Sequence, residues 1–212
     1  MTPQLRNRYT DLIHQTFFFP RHGFEVIENH LHFNGIDLMA LVKEYGTPLK
    51  FSYLPKISSQ IQKASELFNK AIAKHNYTGK YFYCYCTKSS HFSFVINEAL
   101  KNNVDIETSS AFDLEILSKL HAEGKFGTDK YIICNGFKNE PYAINMAKMV
   151  NAGSENLICV LDNPEEFDLI ASKTTNVTKL GIRIATEEEP NFSVYTSRLG
   201  MSYKKVVDLY HS

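Results

Sequence analysis

A lysine that follows a predicted strand is the residue of this sequence best placed for covalent chemistry. Lys88 comes shortly after the run Tyr81–Cys86, whose aromatic and thiol side chains predict a strand buried on both faces. Such strands occur mainly in parallel sheets, where α/β proteins place their chemistry at the carboxyl ends. Partial desolvation by Tyr83 and Tyr85 would favour the free amine, which can form a Schiff base with a carbonyl compound. The alternative is that Lys88 is an ordinary solvated lysine at the point where the buried part of the strand ends.

Two charged residues lie at or within other predicted strands. Glu107 ends one strand, and Ser109 or Ser110 can cap the helix that follows, so a plain helix cap is one interpretation of this segment. Arg183 lies inside the apolar run Leu180–Thr186, where a guanidinium is costly unless a carboxylate neutralises it. We predict Glu107 as that carboxylate, because residues at similar height on barrel strands can meet across the interior.

The elements that would position these residues form a repeated strand–helix pattern. Strand-like runs begin near Lys80, Val104, Lys130, Asn156 and Thr178, and a helical pattern fills each interval. This alternation predicts successive βα units with a parallel sheet, either doubly wound or part of a barrel. No glycine-rich phosphate loop follows any of these strands, which disfavours a nucleotide-binding doubly wound fold. A complete (β/α)8 barrel needs roughly 250 residues, more than this chain has.

Residues 1–54 have a different pattern. Phe24–Phe33 alternates apolar and polar side chains, as a half-exposed antiparallel strand does. Asp37–Tyr45 predicts a short helix, and Pro48–Leu54 alternates again and predicts another strand. We therefore expect two domains, a β-rich arm over residues 1–54 and an α/β domain over residues 55–212.

The composition argues against several classes of protein. Lysine plus arginine and aspartate plus glutamate number 23 each among 212 residues, so no net charge favours nucleic acid or an acidic membrane. No apolar run approaches the ~18 residues of a membrane span. The four cysteines fall in predicted strands, which favours reduced thiols in a cytoplasmic protein. His30 and His32 share one strand face without a third ligand at useful spacing, so we predict no metal site.

Several segments resemble the alanine-racemase-like (fold type III) decarboxylases that use pyridoxal phosphate. Tyr85–Ser90 is similar to the family's Y-x-x-K-x-N segment, with Ser90 in place of the asparagine. Four further segments resemble the family and follow in the same order as in the family: Asp105–Leu114, Tyr131–Lys138, Leu180–Thr186 and Thr196–Met201. Another similar segment, Tyr45–Leu49, precedes Tyr85–Ser90. The segment after the second strand most resembles that of biosynthetic arginine decarboxylases.

The resemblance implies a fold and a set of site residues. The fold would be α/β, with about five βα units from the N-terminal part of a pyridoxal-phosphate-binding (β/α)8 barrel. A short β-rich arm of a second, β domain would precede them. Lys88 would be the catalytic residue that carries pyridoxal 5'-phosphate. Glu107 and Arg183 would pair beneath the cofactor as further cofactor-binding residues.

The resemblance also implies a reaction. The reaction would be the decarboxylation of a basic amino acid, with L-arginine converted to agmatine in polyamine biosynthesis and the cofactor acting as the electron sink. The full-length enzyme would be a cytoplasmic homodimer or higher homo-oligomer that binds a small amino-acid substrate. Three alternatives stay open: a diaminopimelate or other decarboxylase of the same family, a non-catalytic pyridoxal-phosphate-binding barrel, and a structural protein with an open sheet.

The extent of the resemblance predicts an incomplete site. In the family, barrel strands six to eight and a β domain supply a histidine, a glycine-rich phosphate site and a glutamate, and we find no counterpart in this sequence. We expect an N-terminal fragment with little or no activity alone. Its inner sheet face, expected to include Ile132, Cys134, Ile158 and Ile182, would lack part of its cover, and its strand edges would favour self-association.

Overall fold

The computed structural model describes residues 22–176, 179–185 and 200–211. The chain divides into two compact units, Met1–Ser52 and Tyr53–Ser212. The sequence pattern changes at residue 55, close to this division, and the assignment of two domains stays a prediction. The first 21 residues of the predicted arm lie outside the described part of the chain.

The first unit contains a three-stranded antiparallel sheet and a helix. Its elements are β1 Phe24–Ile27, β2 His30–Phe33, β3 Ile36–Asp37 and α1 Leu38–Tyr45. The Asp37 carboxylate caps α1 by accepting the backbone N–H groups of Met39 and Ala40, at 2.8 and 3.1 Å. Gly46 ends the helix with a φ of 79°, a value that glycine adopts without steric cost. The helix predicted over Asp37–Tyr45 is confirmed.

Of the two strand predictions for residues 24–54, the first is correct only in part and the second is wrong. Phe24–Phe33 is a hairpin of two strands, because Glu28 and Asn29 turn the chain with φ values of 49° and 65°. An alternating pattern does not reveal such a turn when no glycine or proline marks it. Pro48–Leu54 forms no strand, since a strand needs a neighbouring backbone for its hydrogen bonds and none of the described strands pairs with this segment.

The second unit is built from alternating helices and strands. It comprises α2 Pro55–Lys74, β4 Cys84–Cys86, α3 Ser93–Leu100, β5 Asp105–Thr108, α4 Ala111–Ala122, β6 Tyr131–Cys134, α5 Glu140–Asn151, β7 Asn156–Leu161, α6 Glu165–Ala171, β8 Lys179–Ile182 and α7 Tyr203–His211. The five strands pair in chain order, and every pair is parallel. The predicted α/β fold with successive βα units is confirmed.

The two faces of this sheet differ in burial. One face is covered, and its buried members share a core with residues of α4 and α5: Ile106, Ile132, Cys134, Leu157, Cys159 and Leu161. The opposite face carries Glu107, Ile133 and Ile158, which are half-buried and aligned across β5, β6 and β7. We call this second face the site face.

The expected composition of the inner face is partly wrong. Ile132 and Cys134 lie on the helix-covered face, because the register aligns Ile133, not Ile132, with Ile158. Ile182 is also wrongly assigned, because it pairs with Leu161, a residue of the helix-covered face. Successive side chains of a strand alternate between faces, so a shift of one residue exchanges the two sets.

The predicted strand Tyr81–Cys86 is shorter than expected and is not buried on both faces. Only Cys84–Cys86 pairs with β5, and these residues are half-buried. Tyr81 stacks on Phe68 of α2 with ring centroids 4.2 Å apart, and Phe82 contacts Tyr131 edge-on at 5.1 Å. Tyr81 and Phe82 therefore pack against other rings and do not pair in the sheet, although their residue types predicted a strand.

Candidate functional site

Lys88 lies in a short 3₁₀ turn, Thr87–Ser89, directly after β4 at the carboxyl edge of the sheet. The fully buried Thr87 fixes this turn to the next strand, because its hydroxyl donates to the backbone oxygen of Glu107 at 3.1 Å. The Lys88 side chain is exposed, so the expected desolvation of its amine is wrong in this structure. Lys88 nonetheless lies at the carboxyl edge, where parallel sheets present reactive groups.

A tyrosine closes the loop that carries Lys88. The Tyr85 hydroxyl donates to the backbone oxygen of Ser90 at 2.8 Å. Burial, followed by the neighbouring Cys86 and Tyr83, raises the pKa of Tyr85, so this hydroxyl stays a donor. The contact uses the backbone of Ser90, so it does not depend on which side chain occupies that position.

Glu107 lies beside Cys86 in the strand register and is half-buried. Asn135, at the end of β6, donates its side-chain amide to the Glu107 carboxylate at 3.1 Å. Burial, and after it the Glu107 charge, raises the pKa of Cys86, which keeps this thiol protonated at neutral pH. The ends of three neighbouring strands thus bring Lys88, Glu107 and Asn135 to one edge.

Arg183 follows β8 and pairs with Asp162, not with Glu107. Its Nη1 atom lies 3.7 Å from Asp162 Oδ1. The last paired residues of β7 and β8 are Leu161 and Ile182, so Arg183 and Asp162 are neighbours across one strand gap. Glu107 lies three strands away on β5. The predicted Glu107–Arg183 ion pair is therefore wrong, because a nearer carboxylate neutralises the guanidinium.

Sequence reasoning missed a buried ion pair at the same edge. Lys138 and Glu166 are 1% and 2% exposed, with Nζ and Oε2 3.5 Å apart. Lys138 Nζ also donates to the backbone oxygens of Gly136, at 2.6 Å, and Val160. Lys138 ends a segment that the family resemblance already marked, but a lysine in a polar loop gives no signal of burial.

The groups at this edge fit pyridoxal phosphate. Lys88 supplies an exposed primary amine that can bond to an aldehyde. Arg183 supplies a guanidinium that is 40% exposed, the type of group that binds phosphate or carboxylate. The roles of Lys88, Glu107 and Arg183 in holding the cofactor stay predictions. The segment Leu180–Thr186 is described except for its last residue, and most of Thr196–Met201 lies outside the described residues.

Other kinds of site find no support within the described ranges. No group of three histidine, cysteine, aspartate or glutamate side chains there could hold a metal ion. His30 instead contacts the Asp37 carboxylate at 2.9 Å. None of the helices in the described part of the chain is both long and apolar enough to cross a membrane.

The chain is similar in sequence to arginine decarboxylases. It is 27% identical to the biosynthetic arginine decarboxylase of Bacteroides thetaiotaomicron over 161 residues, which cover 70% of this chain and 25% of that protein. It is also 27% identical to that of Vibrio vulnificus over 149 residues, 67% of this chain and 23% of that protein. The chain therefore spans about a quarter of the length of these relatives. No family model matches it.

Solved structures show the same fold at lower identity. The biosynthetic arginine decarboxylase of Campylobacter jejuni has a TM-score of 0.64 and 18% identity, covering 89% of this chain and 32% of that chain. A diaminopimelate decarboxylase of M. jannaschii, in complex with L-lysine, has a TM-score of 0.72 and 18% identity, covering 90% and 44%. In sequence the chain is similar to part of the biosynthetic arginine decarboxylases, and in fold it is similar to part of an arginine decarboxylase and of a diaminopimelate decarboxylase.

Proposed function

We propose that this chain carries the cofactor lysine of a pyridoxal-phosphate-dependent amino-acid decarboxylase. The observation that carries the proposal is the position of Lys88, an exposed lysine in a turn that the contacts of Thr87 and Tyr85 fix at the carboxyl end of β4. The similarity to arginine decarboxylases supports L-arginine as the substrate and agmatine as the product. Such a reaction would belong to polyamine biosynthesis.

Each residue of the site has a distinct part in this proposal. Lys88 would hold the cofactor by a bond between its amine and the cofactor aldehyde. Asn135 orients the Glu107 carboxylate beside Cys86, and Asp162 holds the Arg183 guanidinium for an anionic group of the cofactor or substrate. Bound pyridoxal phosphate would act as an electron sink for the electron pair that the departing CO2 leaves behind.

The proposal extends to the state of the whole protein. The relatives are proteins about four times as long as the matched stretch, so activity would belong to the full gene product that contains this chain. We propose that the full gene product is cytoplasmic and that it forms a homodimer or higher homo-oligomer. The free thiols of Cys84, Cys86, Cys134 and Cys159 support a reducing compartment.

Diaminopimelate decarboxylation is a second candidate. The fold of the M. jannaschii diaminopimelate decarboxylase covers 90% of this chain, which favours that reaction as well as arginine decarboxylation. Release of CO2 from arginine and from diaminopimelate, measured side by side with the full gene product, separates the two. We expect turnover of arginine.

Trapping the cofactor tests the central assignment. The full gene product is incubated with pyridoxal phosphate, reduced with borohydride, digested and mapped by mass spectrometry. We expect one reduced adduct, on Lys88, its loss in Lys88→Arg, and its retention in the matched variant Lys63→Arg, whose lysine is exposed on α2. An adduct on a different lysine would contradict the proposal.

A further inference from the structure

Asp162 is a buried carboxylate. Its side chain is 4% exposed, and neither carboxylate oxygen has a hydrogen-bond partner among the described residues. Buried carboxylates are costly unless a charge or several donors compensate them. Within the described residues, the Arg183 guanidinium is the one cation within ion-pair distance of Asp162. The Asp162 carboxylate therefore depends on the Arg183 guanidinium for the neutralisation of its charge.

Glu166 fixes the backbone from which Asp162 projects. One oxygen of Glu166 accepts the backbone N–H of Asp162 at 2.9 Å, and the other accepts that of Lys138 at 2.9 Å. The Asn163 side chain donates to Glu166 at 3.2 Å, and the Lys138 ammonium neutralises its charge. The loops after β6 and β7 are thus tied to one carboxylate.

Arg183 is held by its backbone and only loosely by its side chain. Its N–H donates to the Leu161 oxygen at 3.0 Å, and its own oxygen accepts the N–H of Met201 at 2.8 Å. The guanidinium has five N–H donors, and its contact with Asp162 is an ion pair of 3.7 Å. No described residue accepts a hydrogen bond from this guanidinium, so within the described part of the chain its donors are left for an anionic ligand.

We propose that Asp162 and Glu166 are positioning residues that hold the Arg183 guanidinium on the site face for an anionic group. Glu166 fixes Asp162 through the backbone, and Asp162 fixes Arg183 through charge. The link to an anionic group rests on the proposed function, whereas the link from Glu166 through Asp162 to Arg183 stands on the contacts alone.

Arginine-specific labelling tests the positioning without any cofactor. Phenylglyoxal reacts with a guanidinium that it can reach, and a carboxylate in contact with that guanidinium shields it and slows the labelling. Because half-exposed ion pairs are weak, we expect Asp162→Asn to speed the labelling of Arg183 about two- to fivefold. Glu166→Gln replaces one of the two acceptor oxygens with an N–H donor, which disrupts the contacts that fix Asp162. This variant should therefore also speed the labelling of Arg183.

Two exposed carboxylates on α6 provide matched controls. Asp168→Asn and Glu165→Gln remove charge from the same helix without touching Asp162 or Arg183, and should leave the Arg183 rate unchanged. Equal rates for Asp162→Asn and Asp168→Asn overturn the proposal. If Asp162→Asn does not fold, Glu166→Gln against Glu165→Gln decides in the same way.

A second readout separates this proposal from the proposed function. Pyridoxal phosphate is titrated into the full gene product, and borohydride trapping at Lys88 is measured as a function of concentration. We expect Asp162→Asn to require a several-fold higher concentration for half-maximal trapping, with Asp168→Asn unchanged. No trapping in the wild type contradicts the proposed function, yet the labelling rates still test the positioning. Normal trapping by Asp162→Asn with faster labelling contradicts only the link to the anionic group.

Discussion

Two lysines lie at the carboxyl edge of the same sheet, and their surroundings differ. The Lys138 side chain is fully enclosed, and its ammonium contacts two backbone oxygens and the Glu166 carboxylate. Lys88 is exposed and has no carboxylate within ion-pair distance among the described residues. Lys138 is enclosed and already bound to its acceptors, so of these two lysines Lys88 is the one that a ligand can reach.

Removing the buried lysine should destabilise the protein strongly. Lys138→Met leaves the Glu166 charge buried without its counter-ion, and we expect the free energy of unfolding to fall by about 3–5 kcal/mol. Urea unfolding measures this loss, and Lys88→Met, at an exposed position, should change the free energy by less than about 0.5 kcal/mol. Similar small effects for both variants would show that the buried pair contributes little.

The buried thiols should make the protein less stable in alkali. Burial raises the pKa of Cys134 from 9.0 to about 11 and that of Cys159 to about 12, and it raises the pKa of Tyr142 as well. The unfolded chain then releases protons before the folded chain does. The stability is fully present below the unfolded pKa and is lost as the pH rises through the folded pKa.

Urea unfolding across this alkaline range checks the effect. Between about pH 9 and pH 11, Cys134 alone should account for a loss of about 2–3 kcal/mol. Cys134→Ala should be less stable at neutral pH because it leaves a cavity, but should lose less stability as the pH rises. A stability that stays constant or increases over this range would contradict the prediction.

At the level of elements, local capping and tertiary contacts together fix the helix that follows Glu107. Ser110 caps α4 by accepting the N–H of Asp113 at 3.3 Å, and the Asp113 carboxylate accepts the N–H of Ser109 at 3.0 Å. Leu114 and Leu117 of the same helix are fully buried in the core. The cap sets where α4 begins, and the core contacts hold it against the sheet.

Loss of this cap should have a moderate and measurable effect. Ser110→Ala removes the acceptor for the Asp113 N–H, and we expect the free energy of unfolding to fall by about 1 kcal/mol. Urea unfolding measures the change, with Lys119→Ala, an exposed substitution in the last turn of α4, as the control. An unchanged midpoint for Ser110→Ala would mean that the core contacts alone determine where the helix starts.

At the level of the whole molecule, the parallel sheet has two outer strands. In the described part of the chain, β4 and β8 each pair with a strand on one side only. Leu180 and Ile182 of β8, and Ile184 after it, are exposed. Unpaired backbone next to exposed apolar side chains is a template for association with another chain.

The isolated chain of residues 1–212 should therefore self-associate. Light scattering at rising protein concentration should show an increasing mass, and Ile182→Lys should reduce it because a charge at an edge opposes pairing. Lys63→Ala, an exposed change on α2, is the control. A monodisperse monomer over the whole concentration range would show that this edge is protected.

The sequence alone determined the order of elements and the position of Lys88. Helical and strand periodicity depend on neighbouring residues, so the βα series from α2 to β8 could be predicted locally. The strand that ends before Lys88 was recognised by its composition, although only Cys84–Cys86 of it pairs in the sheet. The family resemblance added the roles expected of Lys88, Glu107 and Arg183, and those roles stay predictions.

Only the tertiary structure decided which charged groups meet. Strand register placed Asp162, and not Glu107, beside Arg183, and register depends on contacts between residues distant in the chain. Burial of Lys138 likewise depends on Glu166, which lies on the next βα unit. Ion pairs depend on distances of a few ångströms, and a linear pattern of residue types carries no such distances.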